Sequence, residues 1–176
     1  MARSFICVAV ALMLGVAAAA AQEPIVTRGA WRLVADGEDF ALRTEALGAP
    51  ENTLSLFCRK AQQRHALELK SPALAARPEG EELRVGFKVD DGELVWLTLA
   101  TGPGGTVPIA HQTAFWIIYE ALRRNGASTV GFTAAERAWV FDLGGLRDLT
   151  ESLNERCGFE PSRPEPPPRS PPGPRR

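Results

Sequence analysis

The sequence predicts an α+β fold: a mainly antiparallel sheet of six to eight strands, two helices packed on one face, and one disulfide. Three observations lead there. Short segments with apolar residues at every second position recur along the chain. Two later segments switch to three- and four-residue spacing. Turn dipeptides such as Asp36-Gly37 and Asp91-Gly92 stand between alternating runs, which is how sequential hairpins read. Two apolar helix stripes buried on one sheet face is the layered arrangement this pattern allows.

Met1 to Ser4 carries one positive charge, and an unbroken apolar run follows from Phe5 to Ala21 before Gln22-Glu23-Pro24 ends it. This is the layout of a secretory signal peptide, and Ala19 and Ala21 meet its small-residue cleavage rule. A signal peptide over 1–21 is therefore expected, followed by a periplasmic domain over 22–160. The run is at the short end of what spans a bilayer, and its alanine-rich end suits a peptidase better than a lipid core, so no retained anchor is expected. Of 20 Lys+Arg and 21 Asp+Glu only Arg3 lies in the leader, leaving 19 against 21 and a net charge of −2. That balance argues against a nucleic-acid partner, which needs a concentrated basic face.

Trp31 to Ala35 and Phe40 to Arg43 flank Asp36-Gly37 as an opening hairpin. Asn52 to Arg59 alternates and reads as a strand, as does His65 to Lys70, which Ser71-Pro72 ends. Leu83, Val85, Phe87 and Val89 alternate with polar or small residues. Asp90-Asp91-Gly92 then turns the chain into Glu93 to Ala100. Thr101 to Thr106 reads as a flexible connection to a helix over Pro108 to Arg124, whose stripe is Ala114, Phe115, Ile118, Tyr119 and Leu122. Thr129 to Phe132 and Ala138 to Leu143 are two further strands, and Gly144-Gly145 leads into a last helix, Leu146 to Arg156.

After cleavage two cysteines remain, an even number in an oxidising compartment. Cys58 continues the Leu54, Leu56 strand face, and Cys157 continues the Leu146, Leu149, Leu153 helix stripe. Both sulfurs point toward one core, so a Cys58–Cys157 disulfide is expected; the alternative is two separately buried thiols. Residues 161–176 are mostly proline and arginine, a solvated, disordered tail.

Catalytic signatures are lacking. His65 and His111 have no Cys, His or carboxylate at metal-ligand spacing, so no metal is expected, and both are expected exposed. No nucleophile elbow or phosphate-binding loop occurs, and no cofactor is expected. Asp90 and Asp91 read as turn formers rather than paired acid-base carboxylates. Trp96, Trp116 and Trp139 read as core by default, with a binding groove as the other possibility. Candidate binding residues are Gly102, Gly104 and Gly105, whose backbone N–H groups suit an anion, together with Trp96 and the tail residues Arg163 and Arg169.

"WVFDLGGLRDLTESLNERCGF" over Trp139 to Phe159, with "LSLFCRK" and "ELRVGFKVDDGELVWLTLA" upstream, resembles small two-cysteine periplasmic proteins, including the VasI-type accessory factors of type VI secretion. The resemblance covers about Asn52 to Phe159. It implies paired cysteines at positions 58 and 157 and a non-enzymatic role in the envelope. Where that pattern often caps the last helix with a small polar residue, this chain has Gly144, a replacement worth roughly a few tenths of a kcal/mol. The expectation is thus an exported binding or accessory protein whose partner is another envelope protein. The alternatives are a hydrolase inhibitor presenting Gly102 to Thr106, or a small hydrolase using a histidine.

Overall fold

A computed structural model describes residues 23–161, 163 and 164. The expected leader and most of the expected tail, Arg169 included, lie outside the described residues. Chain order is β1 (Val26–Arg28), β2 (Trp31–Asp36), β3 (Asp39–Ala46), β4 (Ala49–Arg59), β5 (Arg64–Lys70), β6 (Glu82–Val89), β7 (Val95–Ala100) and β8 (Thr106–Ile109). Then come α1 (Gln112–Leu122), β9 (Thr129–Ala134), β10 (Arg137–Asp142) and α2 (Leu146–Cys157). The fold is mainly antiparallel sheet with two helices, as the hairpin signals and helix stripes predict.

The described residues hold ten strands rather than six to eight. The two additions are β1 and β8, both too short to show an alternation of their own. β8 also corrects the helix start. Val107 and Ile109 point inward and pair beside Leu69 and Leu67 of β5, so Pro108 belongs to a strand and α1 begins at Gln112. Proline is tolerated there because β8 is an edge, where a missing N–H breaks no ladder.

Two antiparallel meanders make the sheet. One runs β1-β2-β3-β4-β5-β8, the other β7-β6-β9-β10, and they join where Phe141 of β10 pairs with Ala46 of β3. A bulge between Glu45 and Ala46 ends the regular β3–β4 ladder at that junction. One core runs through both meanders. Leu42, Leu56 and Leu67 enter it from the first, Phe87, Phe132 and Phe141 from the second. The same face receives the α1 stripe of Phe115, Ile118 and Leu122 and the α2 stripe of Leu149, Leu153 and Cys157. Trp31 is fully buried and donates its indole N–H to the Asp142 carbonyl at 2.8 Å. Among the described residues no helix is long and apolar enough to cross a membrane.

The N-terminus of α2 is set by a close approach. Its cap is Gly145, not Gly144, with φ 87°. A Cβ on Gly145 would stand 2.2 Å from the Arg28 carbonyl oxygen, so glycine lets the β1–β2 turn lie against the helix start. The other end of α2 closes on Gly158, whose N–H bonds the Asn154 carbonyl at 2.9 Å.

Opposite the core, β2, β3 and β4 bury a small second cluster of Val34, Ala41 and Phe57. The Arg59 guanidinium lies 4.2 Å from the Phe57 ring centre and pairs with Asp36 at 2.9 Å and Asp39 at 3.2 Å. An arginine stem over an aromatic ring excludes water while its charge stays hydrated. On this half the outer face is thus partly covered around Phe57.

Candidate functional site

The two cysteines meet as expected. Cys58 of β4 and Cys157 at the end of α2 form a disulfide across a sequence separation of 99. Beside it lies His65, which pairs in register with Cys58 on the neighbouring strand. The expectation that His65 is exposed is overturned: it is 6% exposed and stacks edge-on against Phe159, with ring centres 5.1 Å apart. It belongs to the inward set of β5 with Leu67 and Leu69, so the strand's own alternation buries it. Burial lowers its pKa from 6.5 to about 4, against a smaller upward pull from Asn154. His111 is exposed at the start of α1.

Asp90 acts as a turn residue. Its carboxylate accepts from the Ser128 hydroxyl at 2.6 Å, the Ser128 N–H at 3.0 Å and the Thr129 N–H at 2.8 Å. The Ser128 side chain, then these backbone bonds, hold its pKa below the ordinary carboxylate value. The contact ties the β6–β7 turn to the strand that follows α1.

The connection over Gly102 to Thr106 leads into β8 rather than a helix. Gly102 donates its N–H to the Thr106 carbonyl at 2.8 Å, and Gly105 accepts from the Ser71 N–H at 2.9 Å. A Cβ at Gly105 would fall 2.3 Å from the Ser71 carbonyl oxygen. Gly102 and Gly105 are buried, and Gly104 faces solvent.

Trp96 departs from the core default. It is 42% exposed on the outer face, lies across Gly86, and carries the Arg84 guanidinium 4.4 Å from its ring centre. Trp139 is buried and Trp116 partly so. Arg163 is exposed at the start of the tail.

A large concavity lies where the sequence did not point. Helix α1 covers β6 and β7 incompletely, and a groove of about 810 Å³ opens between them. Its apolar lining comes from Phe87, Val89 and Val95 of the hairpin and from Ile117 and Ala121 of α1. Arg123, Arg124 and Arg147 stand on the rim against Glu93 and Glu120. Two of these arginines are held in place: Arg123 donates to the Tyr119 hydroxyl at 3.2 Å, and Arg147 donates to the Asn125 side chain. Burial raises the pKa of the Tyr119 phenol, which keeps it neutral. Ile117 gives the one sequence signal for this groove. It is apolar yet off the α1 stripe, and it is 42% exposed.

β7 meets this groove at Val95 and is an edge strand, hydrogen-bonded to β6 alone. Its Val95 and Leu97 are only partly covered on the inner side. A scan of protein-family models and searches of curated proteins and of solved structures each found no match.

Proposed function

We propose that this chain is an exported binding protein without catalytic activity, serving an envelope assembly or secretion apparatus by holding an extended segment of another envelope protein between α1 and β7. One observation carries the reading: an edge strand hydrogen-bonded on one side only, beside an open apolar groove. Edge strands are normally blunted by proline, charge or a bulge. β8 has Pro108. β7, VWLTLA, has no proline or charge, and its register with β6 is unbroken. A strand added to β7 would gain main-chain hydrogen bonds, and its alternate side chains would reach the groove.

Three rim arginines against two glutamates favour a segment carrying an acidic residue. That disfavours the chain's own tail, which holds Arg163, Arg169, Arg175 and Arg176 against Glu165. The signal-like leader and the disulfide fit an oxidising compartment outside the cytoplasm. The resemblance to VasI-type factors points to an envelope partner. Neither alternative gains support: the Gly102 to Thr106 connection is packed against Ser71, and neither histidine has a carboxylate hydrogen-bond partner among the described residues.

Selection of phage-displayed random peptides on the oxidised mature protein tests the reading. Enriched sequences should alternate apolar residues around an acidic one, and should lose binding to Leu97→Pro and Arg124→Glu proteins. Failure to enrich, or enrichment indifferent to both substitutions, removes the groove as the binding site.

A further inference from the structure

The surroundings of the disulfide contain more polar chemistry than a structural cross-link requires. The Cys58 and Cys157 sulfurs and a ring nitrogen of His65 all lie within 4.8 Å of one another. His65 is 6% exposed, and neither ring nitrogen makes a well-formed hydrogen bond, although the Asn154 side chain lies beside it. The Asn154 amide oxygen, one helical turn before Cys157, is likewise buried without a partner. Leaving a buried polar group poorly paired is costly, and leucine occupies the two other inward positions of this strand face, 67 and 69. An imidazole at position 65 places a metal-binding nitrogen beside the two sulfurs that leucine would not.

We propose that the cross-link has a second, reduced state in which the Cys58 and Cys157 thiolates and the His65 imidazole together hold one thiophilic metal ion, zinc or copper(I). Two thiolates and an imidazole are the donor set such ions select. Zinc–sulfur bonds of about 2.3 Å and zinc–nitrogen bonds of about 2.0 Å place neighbouring ligands roughly 3.5–4 Å apart. Once the disulfide is reduced, the two sulfurs part to that spacing and the His65 nitrogen, within 4.8 Å of both, moves in by small side-chain shifts. Entry is provided by a second cavity of about 350 Å³, lined by His65, Gln112, Phe115 and Glu160.

The exchange balances with a dithiol as reductant. One dithiol sulfur attacks the protein disulfide, the S–S bond breaks, and the dithiol leaves as its own disulfide with two electrons transferred to the protein. The two cysteine thiols then release two protons to solvent as they bind the metal, and the neutral imidazole binds through a lone pair without losing a proton.

Cobalt(II) is the probe. Mature protein reduced with a phosphine and titrated with Co²⁺ should develop thiolate-to-cobalt charge-transfer and tetrahedral d–d absorption that saturates at one equivalent. Zinc should bleach both bands. Oxidised protein should show neither. His65→Ala should weaken cobalt binding by about tenfold or more, while still forming the disulfide when oxidised, which shows that this variant folds. Metal should also raise the melting temperature of the reduced wild type and leave that of reduced His65→Ala much less changed. Reduced wild type without a saturable cobalt spectrum overturns the proposal, and so does His65→Ala binding cobalt as tightly as wild type.

Discussion

The two meanders differ in how they are finished. Around β2 to β5, α2 covers the inner face, Arg59 lies across Phe57 on the outer face, and the disulfide joins strand to helix. Around β6 and β7, α1 leaves a groove on the inner face, Trp96 stands half exposed on the outer face, and the edge strand is hydrogen-bonded to β6 alone, with β8 approaching it without pairing. One continuous core serves both. An exposed edge is tolerable in a small domain when the rest of the sheet is held against local opening. One half holds the fold and the other presents surface.

Breaking the closed half should have the largest effect. Cys157→Ser removes a cross-link over a separation of 99 residues, for which the chain-entropy model gives roughly 4–5 kcal/mol. Urea melts of oxidised wild type and variant measure it, and coincident melts would mean that the cross-link does not hold this half together.

The next effect is pH-dependent and belongs to the same half. His65 has its folded pKa lowered to about 4, mainly by burial, with Arg64 and Glu160 as the charged groups lining the cavity beside it. The unfolded chain therefore takes up a proton first as pH falls from 6.5. Stability is full above that value, declines toward pH 4 by roughly 2–3 kcal/mol, and loses nothing more to this group below it. His65→Leu should flatten that limb in melts of the oxidised protein.

Asp90 sharpens the comparison from the other side, since it ties the β6–β7 turn to Ser128 and Thr129. Its folded pKa is lowered, so its contribution is present above the unfolded carboxylate pKa and lost as pH falls through the folded one. Asp90→Asn should lower the melting temperature at neutral pH by less than the cysteine variant does, and the gap from wild type should narrow at acid pH. The smallest stability effect is expected in the groove. Ile117→Ser changes a half-exposed side chain, so its unfolding free energy should stay within about 0.5 kcal/mol of wild type, while peptide binding is lost. A large loss of stability would show that Ile117 is core.

Much of the closed half was legible in the sequence because its signals are local. Leu54, Leu56 and Cys58 alternate, Leu146, Leu149, Leu153 and Cys157 follow a helix stripe, and both sets are buried where those periods place them. β8 was hidden because Pro108 opens what looks like a helical run and only pairing with β5 makes it a strand. His65 was misread for a similar reason: its partners are Cys58 across a ladder and Cys157 from the far end of the chain, and neither sits at ligand spacing in sequence. The groove depends on how far α1 fails to cover a hairpin, which no residue pattern encodes. Only Ile117, off its stripe, hinted at it.

Hydrogen exchange of the oxidised protein, alone and with the tightest selected peptide, tests the central claim most directly. Amides of Leu54 to Cys58 should exchange only through global unfolding in both samples, while outward-facing amides of β7 should exchange fast alone and slow markedly with peptide. Amides of β7 already as protected as those of β4, or peptide protection confined to another part of the molecule, would contradict it.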